Sequence, residues 1–243
     1  MLGSGGASLR ATCSVRFCRS LHMLDSILPP SAIVVETRQD FLSEALPPEE
    51  RSAVSKAVVS RRREFATART CARTALGRLG LPAVAIPVGP KGEPLWPPGA
   101  VGSITHCDGY RACAVARMED LVTIGIDAEP HAKLPDGLLA DIARPEELPG
   151  LRELAHREPL VHWDRVLFCA KEATYKAWYP LAQRWLGFED AIVTINLCEQ
   201  SFETKLLVPG PVAAGRRING FSGRWGVSDG LIVAAIACPR QGG

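Results

Sequence analysis

The segment from His162 to Gly187 (HWDRVLFCAKEATYKAWYPLAQRWLG) constrains the fold of this chain more than any other. Apolar residues recur in it at intervals of three and four, which predicts an amphipathic helix with one stripe facing a core. The stripe consists of Val166, Ala170, Ala173, Ala177 and Leu181. We expect Pro180 to kink or break the helix near its end, and Gly187 to close the segment.

Glu172 and Lys176 lie one turn apart at the edge of that stripe. Because residues four positions apart face the same side of a helix, their carboxylate and ammonium groups emerge together. One interpretation is an ordinary salt bridge, worth a few tenths of a kcal/mol. The other is a pair of charged groups that acts on a charged ligand. The helix alone leaves both interpretations open.

Composition limits the class of protein. A chain of 243 residues can form one domain or two smaller lobes, and its 47% apolar and 22% charged residues are typical of a soluble globular protein. The eight cysteines include no CxxC pair and no zinc-site spacing. The late apolar run of residues 231–238 is too short to cross a bilayer. We therefore predict a cytoplasmic protein without a membrane association.

The periodicity of the chain predicts mixed strands and helices. Helical spacing appears in residues 49–79 and around 138–142. Predicted strands cover residues 31–36, 101–106, 113–117, 122–129, 191–197 and 202–208, and a final hairpin of residues 224–228 and 231–238. Neither GxGxxG nor GxxxxGK[ST] occurs, which disfavours dinucleotide-binding and P-loop folds. Residues 1–24 show no period and predict a disordered N-terminal extension, or a start site placed too far upstream.

Arginines cluster between Arg61 and Arg78, although the formal charge of the whole chain is only +2. Arg61 and Arg69 lie two turns apart on nearly the same side of the predicted helix. They form either a solvated basic face or a phosphate clamp, since guanidinium groups match phosphate oxygens. His106 ends the strand of residues 101–106, and a lone histidine in such a place is more often structural than catalytic.

Asp127 and Glu129 share one side of the strand of residues 122–129. Two carboxylates at this spacing repel each other unless they are solvated or bridged by a cation. A hard divalent ion such as Mg²⁺ prefers such oxygens and leaves positions for water and phosphate. A solvent-exposed strand end is the alternative.

Four motifs follow one another along the chain: the arginine-rich helix, a GxxTH strand end (residues 102–106), GIDAE (residues 125–129) and KEATYK (residues 171–176). In this order and spacing they resemble the phosphopantetheinyl transferases of the Sfp and EntD type. The likeness is greatest to the actinobacterial enzymes that activate fatty-acid, polyketide and siderophore carrier proteins. It covers the chain from about residue 61 to residue 191.

The resemblance implies an α+β fold of two similar, pseudo-symmetric lobes, here residues 25–120 and 121–243, with the active site in the cleft between them. It implies an enzyme that moves the 4′-phosphopantetheine arm of coenzyme A to a serine of an apo acyl or peptidyl carrier protein and releases 3′,5′-ADP. We expect a monomer that binds no nucleic acid.

The resemblance also implies roles for the acidic residues. Asp127, Glu129 and Glu172 would bind Mg²⁺, with Mn²⁺ as a possible substitute. Attack by the serine builds negative charge on the phosphate oxygens and releases a proton, so the site needs positive charge and a base. Glu172 is the candidate base, and the predicted catalytic residues are Glu172, Lys176 and His106.

The predicted ligands of coenzyme A are all basic side chains: Arg61, Arg69, Lys91, His106, Lys171 and Lys176. His106, Arg61 and Arg69 would contact phosphates, and Lys91 would lie near the nucleotide end. Lys171 and Lys176 would neutralise the diphosphate.

The connector from His131 to Glu158 has no pattern that aligns with the family, in which the corresponding region helps to dock the carrier protein. Its apolar residues Leu138, Leu139 and Ile142 could receive a carrier helix, or could simply be part of the core.

Two other functions use part of the same residues. A Mg²⁺-dependent hydrolase of nucleotide diphosphates would need the same carboxylates and cations, with water as the nucleophile. A nucleic-acid binder would use the arginine-rich helix but would leave the three carboxylates unexplained.

Overall fold

The computed structural model describes Val15, residues 23–41 and residues 46–240. It contains two large antiparallel sheets, and one 20-residue helix packs on each of them. The elements of the first lobe are β1 (Ile33–Thr37), α1 (Pro48–Arg51), α2 (Val59–Arg78), β2 (Ala100–Cys107) and β3 (Tyr110–Arg117). The second lobe begins with β4 (Leu121–Pro130), α3 (Leu138–Ile142), α4 (Leu148–Arg157) and α5 (Trp163–Ala182). It continues with β5 (Ala191–Asn196), β6 (Ser201–Leu206), β7 (Val212–Ala213), β8 (Arg216–Arg217), β9 (Gly220–Ser228) and β10 (Leu231–Pro239).

The two lobes repeat one topology. In the first sheet the order is β1-β3-β2, and in the second it begins β4-β10-β9 and continues with β6 and β5. In both lobes the last strand (β3 or β10) lies between the first strand (β1 or β4) and the strand that precedes it in sequence (β2 or β9). The long helix, α2 or α5, follows the first strand in sequence and precedes the last two strands. The structure therefore agrees with the prediction of an α+β fold with two similar lobes.

Three cores hold the layers together. Alanines and leucines of α2 pack against Cys113 and Val115 on one face of β3. The opposite faces of the two sheets enclose a second core that includes Ala114, Ile126 and Val233. The third core lies between α5 and the far face of the second sheet. Alternating residues of β3, β4 and β10 thus serve two cores each, as the period-2 geometry of strands requires.

Hydroxyl groups join β2 to β4 across the boundary between the lobes. The backbone N–H of Ile126 donates to Ser103 Oγ at 3.1 Å, and that of Ala128 donates to Thr105 Oγ1 at 3.1 Å. These bonds satisfy buried amides where no neighbouring strand supplies carbonyl groups. The C-terminal half of β2 is therefore fixed against the centre of β4.

Gly125 allows α5 to lie very close to β4. A Cβ atom at this position would be 2.0 Å from the carbonyl oxygen of Ala173 and 2.7 Å from the backbone nitrogen of Ala177. Thr123, on the same face, donates a hydrogen bond to the Ala177 carbonyl. The glycine of the GIDAE motif is thus needed for the helix to approach the strand.

The helices differ from the sequence predictions in three ways. The predicted helix of residues 49–79 is interrupted before α2, where the Arg62 side chain bonds the carbonyl groups of Ser55 and Ala57. Helix α5 accommodates Pro180 in its last turn and ends at Ala182, with Gln183 in the left-handed region, instead of continuing to Gly187. The connector contains α4, which we did not predict, in addition to the predicted α3.

Most of the predicted N-terminal extension, residues 1–24, lies outside the described residues. Within it, Val15, Met23 and Leu24 are buried. The predicted boundary between residues 120 and 121 falls directly before β4 and stays a prediction. None of the helices in the described residues combines the length and apolar character that a bilayer crossing requires.

We expect Gly125→Ala to lower the free energy of unfolding by about 1–3 kcal/mol or more, because the added methyl group overlaps the α5 backbone. Urea denaturation measures the change. Gly150→Ala is the matched control, since no atom lies within 4 Å of its new Cβ in α4, and should leave stability equal or raise it by up to about 1 kcal/mol. Wild-type stability of Gly125→Ala would contradict the close approach.

Candidate active site

The site is built around Asp127, a carboxylate on the face of β4 that α5 covers. Asp127 is only 4% exposed. Its Oδ1 atom accepts a hydrogen bond from Lys176 Nζ at 2.7 Å and one from Thr105 Oγ1 at 3.3 Å, while the Cys169 thiol donates to Oδ2 at 3.2 Å. Burial alone would lower the pKa of Lys176, but the charges of Asp127 and Glu172 raise it above its ordinary value. Lys176 therefore stays protonated.

Glu129 lies two residues along the same face of β4. Its Oε2 atom is 2.9 Å from Arg165 Nη1, at the start of α5. Arg165 also donates to the carbonyl groups of Ala132 and Lys133. Burial raises the pKa of Glu129, repulsion by Asp127 adds to the increase, and Arg165 opposes it.

Glu172 is half-buried on α5, one turn before Lys176. Burial raises the pKa of its carboxyl group, and the negative charges of Asp127 and Glu129 raise it further against the opposing charge of Lys176. Within the described part of the chain, no hydrogen bond or ion pair holds this carboxylate. Glu172 is thus a carboxylate poised to accept a proton or a cation.

The three predicted metal ligands face one region, since each of the two glutamates feels the charge of Asp127. They are not arranged as a preformed metal centre, because no three acidic, histidine or cysteine side chains of the described residues are close enough to hold an ion. Lys176 forms an ion pair with Asp127, and Arg165 forms one with Glu129. Oxygen donors with mutual repulsion fit a hard divalent cation chemically, and binding it would require Asp127 and Glu129 to rearrange.

His106 lies on the other side of Lys176, at the end of β2. Arg61 Nη1, from the first turn of α2, donates to His106 Nε2 at 2.8 Å. Burial lowers the pKa of His106 to about 4, and the positive charges of Arg61 and Lys176 contribute to the decrease. The ring is therefore neutral at neutral pH, and the nitrogen that accepts from Arg61 carries no proton.

A cavity of about 230 Å³ opens beside Glu172 and Lys176. The turn of Lys91 to Pro94, the Gly102–Ile104 part of β2, and the aromatic side chains of Trp96, Tyr175 and Tyr179 line it. Gly102 is required here, because a Cβ atom would be 2.8 Å from the Trp96 ring. Lys91 is exposed and lines this cavity together with Glu172 and Lys176, two of the predicted catalytic residues.

Lys171 does not line this cavity, and a contact with the diphosphate, which stays a prediction, would require it to leave its buried position. It is 3% exposed. Its Nζ atom donates to the carbonyl groups of Phe188 and Ala191 at 2.8 and 3.0 Å and pairs with the buried Glu147 at 3.0 Å. All three ammonium donors are used, so Lys171 stabilises the packing of α5 against the connector and β5.

Arg69 is also separated from the surface of the cleft. It is 4% exposed inside the first lobe, and its guanidinium lies over the Phe65 ring at 4.6 Å. Its Nε atom has no hydrogen-bond partner among the described residues, and burial lowers the pKa of its side chain. Contact with a phosphate would require Arg69 to leave this position, and its predicted role stays a prediction.

Sequence reasoning missed several side chains that shape the site. Thr105 and Cys169 bond Asp127, and Arg165 holds Glu129. Thr105 stands inside the GxxTH motif, but nothing in its pattern shows that its partner is Asp127. The others come from spatial contacts between distant segments, for which a single sequence holds no periodic signal.

Comparison with known proteins decides the family. A model described as the 4′-phosphopantetheinyl transferase N-terminal domain matches residues 49–116, and one described as the 4′-phosphopantetheinyl transferase superfamily matches residues 123–216. The chain is 48% identical to the 4′-phosphopantetheinyl transferase Svp of Streptomyces mobaraensis over 91% of both chains. The chain belongs to the 4′-phosphopantetheinyl transferase family.

Two further relatives support this. Npt of Nocardia iowensis is 48% identical over 88% of this chain and 99% of its own, and PptT of Mycobacterium tuberculosis is 47% identical over 78% and 84%. Phosphopantetheinyl transferases act on coenzyme A and carrier proteins, so the protein transfers the phosphopantetheine arm from one to the other. The resemblance to the actinobacterial members of the family is confirmed, and nothing supports the hydrolase alternative.

We expect Lys171→Met to lower the free energy of unfolding by about 3–5 kcal/mol, because it leaves Glu147 charged and buried without its partner. In the folded fraction, the KM for coenzyme A should stay unchanged. Lys133→Met is the control: Lys133 pairs with Asp136 at the surface, and its loss should leave the free energy of unfolding close to the wild-type value. A large rise in KM for Lys171→Met would return this lysine to the substrate site.

The stability of the transferase should fall as the pH is lowered from 6.5 to 4. In this window the unfolded chain protonates His106, whereas the folded chain, with its pKa of about 4, does not. Urea denaturation at several pH values should show a shallower loss for His106→Gln than for the wild type. His156→Gln, at an exposed position of α4, should keep the wild-type slope, and equal slopes in all three would contradict the role of His106.

Proposed function

We propose that the diphosphate of coenzyme A binds at the junction of the two lobes, between Arg61 and His106 on one side and the carboxylates of β4 and α5 on the other. The observation that carries this proposal is the Glu172 carboxylate, which lies near the Asp127–Lys176 pair. It has a raised pKa and, within the described residues, no hydrogen-bond or ion-pair partner. The acceptor would be a serine of an acyl or peptidyl carrier protein of a fatty-acid, polyketide or nonribosomal-peptide synthase.

Basic side chains that line the junction would bind the substrate. Arg61 and the neutral ring of His106 would donate hydrogen bonds to phosphate oxygens. Lys176, whose pKa is raised by Asp127 and Glu172 against the effect of partial burial, would stabilise negative charge on the diphosphate. Lys91 would meet the nucleotide end of coenzyme A, and the aromatic cavity beside Glu172 would receive the apolar pantetheine arm.

Asp127, Glu129 and Glu172 would hold Mg²⁺ or Mn²⁺. The cation would supply positive charge to the diphosphate oxygens. The cation would compete with Lys176 and Arg165 for the carboxylates of Asp127 and Glu129. The substrate phosphates would attract the same two basic side chains, which would then turn from the carboxylates to the phosphates.

The chemistry that these residues would support is a single displacement. The serine oxygen of the carrier forms a bond to the β-phosphorus of coenzyme A, and the bond from that phosphorus to the leaving 3′,5′-ADP breaks. The serine proton would pass to Glu172, directly or through a water, because burial and nearby carboxylates raise the pKa of this group above that of an ordinary glutamate. A bound cation would lower that pKa, so the roles of Glu172 as base and as metal ligand are alternatives.

The connector of residues 131–158 is the candidate surface for the carrier protein. Of the three connector residues predicted to meet a carrier helix, Ile142 is 1% exposed and belongs to the core, and Leu138 and Leu139 pack partly against the same core. A cavity of about 400 Å³ lies next to them, between α4 and the start of α5. We propose this connector as part of the docking surface, with Ile142 excluded.

We also propose that the transferase is a cytoplasmic monomer without a nucleic-acid or membrane partner. Arg61, one of the basic residues at the site, bonds Glu64 and His106.

Intact-mass analysis of a panel of apo carriers, after incubation with coenzyme A and Mg²⁺, tests the reaction. We expect the wild type to add one phosphopantetheine arm, and Glu172→Ala to lower the rate by about 10²–10⁴-fold through loss of the base. Its melting temperature should not change, since the lost carboxylate bonds no described residue.

Glu119→Ala, at an exposed position of the turn between β3 and β4 and outside the connector, is the control and should keep the wild-type rate. A wild-type rate for Glu172→Ala would overturn its role as base. Release of 3′,5′-ADP without added carrier mass would instead indicate hydrolysis.

A further inference from the structure

A chain of five side chains, in which acidic and basic residues alternate, runs from the first lobe to the candidate phosphate site. It consists of Asp40, Arg111, Glu64, Arg61 and His106. The last two are proposed ligands of coenzyme A. Asp40, Arg111 and Glu64 carry no role in the reaction described above, although they lead directly to those ligands.

Arg111 anchors this chain. It is 7% exposed and lies opposite His106 in the β2–β3 pairing. Its Nε and Nη2 atoms bond the two oxygens of Asp40 at 3.0 and 3.1 Å, and its Nη1 atom donates to the carbonyl groups of Cys107 and Tyr110. Because its guanidinium is held on several sides, Arg111 has one orientation.

Glu64 connects this fixed guanidinium to Arg61. Its Oε1 atom lies 3.5 Å from Arg111 Nη2, and its Oε2 atom accepts from Arg61 Nη1 at 3.2 Å. The same Arg61 nitrogen donates to His106. The bridge therefore determines where the Arg61 guanidinium lies relative to the histidine ring.

We propose that Glu64 is a positioning residue, which holds Arg61 against His106 so that the pair meets a phosphate of coenzyme A in a fixed geometry. This inference rests on the proposed phosphate contact of Arg61. Arginine side chains lose considerable conformational freedom when they are ordered, and a group that orders Arg61 before the substrate arrives reduces that cost of binding.

The surface position of the pair argues against a purely stabilising role. The side chains of Arg61 and Glu64 are 44% and 29% exposed, and an exposed pair three positions apart in a helix stabilises a fold only weakly. The link to the buried Arg111 distinguishes Glu64 from such a pair. Its effect should appear in substrate binding and not in stability.

Charge and position predict opposite effects of Glu64 on coenzyme A. A carboxylate next to a phosphate site repels the phosphate, so a purely electrostatic role predicts tighter binding when Glu64 is replaced. A positioning role predicts weaker binding after Glu64→Ala and near-normal binding after Glu64→Gln, whose side-chain oxygen still accepts from Arg61.

The test measures the Kd of coenzyme A by calorimetry, together with kcat and KM, for Glu64→Ala and Glu64→Gln. We expect Glu64→Ala to raise Kd and KM about tenfold, as outer-shell substitutions do, with little change in kcat. Glu64→Gln should stay within about threefold of the wild type. Glu49→Ala, at an exposed glutamate of α1, should have wild-type constants.

The same measurements in an Arg61→Ala background show whether Glu64 acts through Arg61. We expect Glu64→Ala to have almost no further effect there, since the effects of two linked residues are not additive. An equal loss in both backgrounds, tighter binding in either Glu64 variant, or unchanged binding of Glu64→Ala would overturn the positioning role. If Arg61→Ala itself binds coenzyme A normally, the phosphate contact of Arg61 fails, and the inference fails with it.

Discussion

The ion pair between Asp127 and Lys176 determines how the second lobe is assembled. It places the buried carboxylate of Asp127 and the partly exposed ammonium of Lys176 in the layer between β4 and α5, where the charge of Asp127 raises the pKa of Lys176 against the effect of burial. The pair can form at 2.7 Å because Gly125 lets the helix backbone lie against the strand. The GIDAE and KEATYK motifs are therefore two sides of one contact, and neither side chain can be understood without the glycine.

Negative charge at this contact exceeds what the protein neutralises. Lys176 and Arg165 partner Asp127 and Glu129, but Glu172 has no such partner among the described residues, and burial with mutual repulsion raises the pKa of both glutamates. On the opposite side, burial lowers the pKa of His106 to about 4, and the charges of Arg61 and Lys176 add to the decrease. The site thus combines a carboxylate of raised pKa with charged and neutral basic groups, which suits a substrate whose phosphates carry charge and whose reaction transfers a proton.

The pattern of the sequence predicted the strands, the long α5 helix and the placement of Asp127 and Glu129 on one face of β4, because alternation and helical spacing are local properties. It did not separate the two lysines of KEATYK. Lys171 and Lys176 have similar neighbours in sequence, but Glu147 and the carbonyl groups of Phe188 and Ala191 lie on one side of α5 and Asp127 on the other. Which lysine reaches the cleft depends on these distant partners. The same is true of Arg69, whose helical spacing matched that of Arg61 but whose side chain is enclosed by the first lobe.

The hydroxyl groups of Ser103 and Thr105 have a consequence for the whole enzyme. Arg61 and His106 belong to one lobe and the three carboxylates to the other, so the width of the gap between them depends on how the lobes are fastened. Where β2 meets β4, the contacts between the lobes include two hydrogen bonds, from the backbone amides of Ile126 and Ala128 to these hydroxyl groups. The hydroxyl groups of a serine and a threonine thus help to fix the separation of the two sets of candidate site residues, although neither hydroxyl is proposed to contact the substrate.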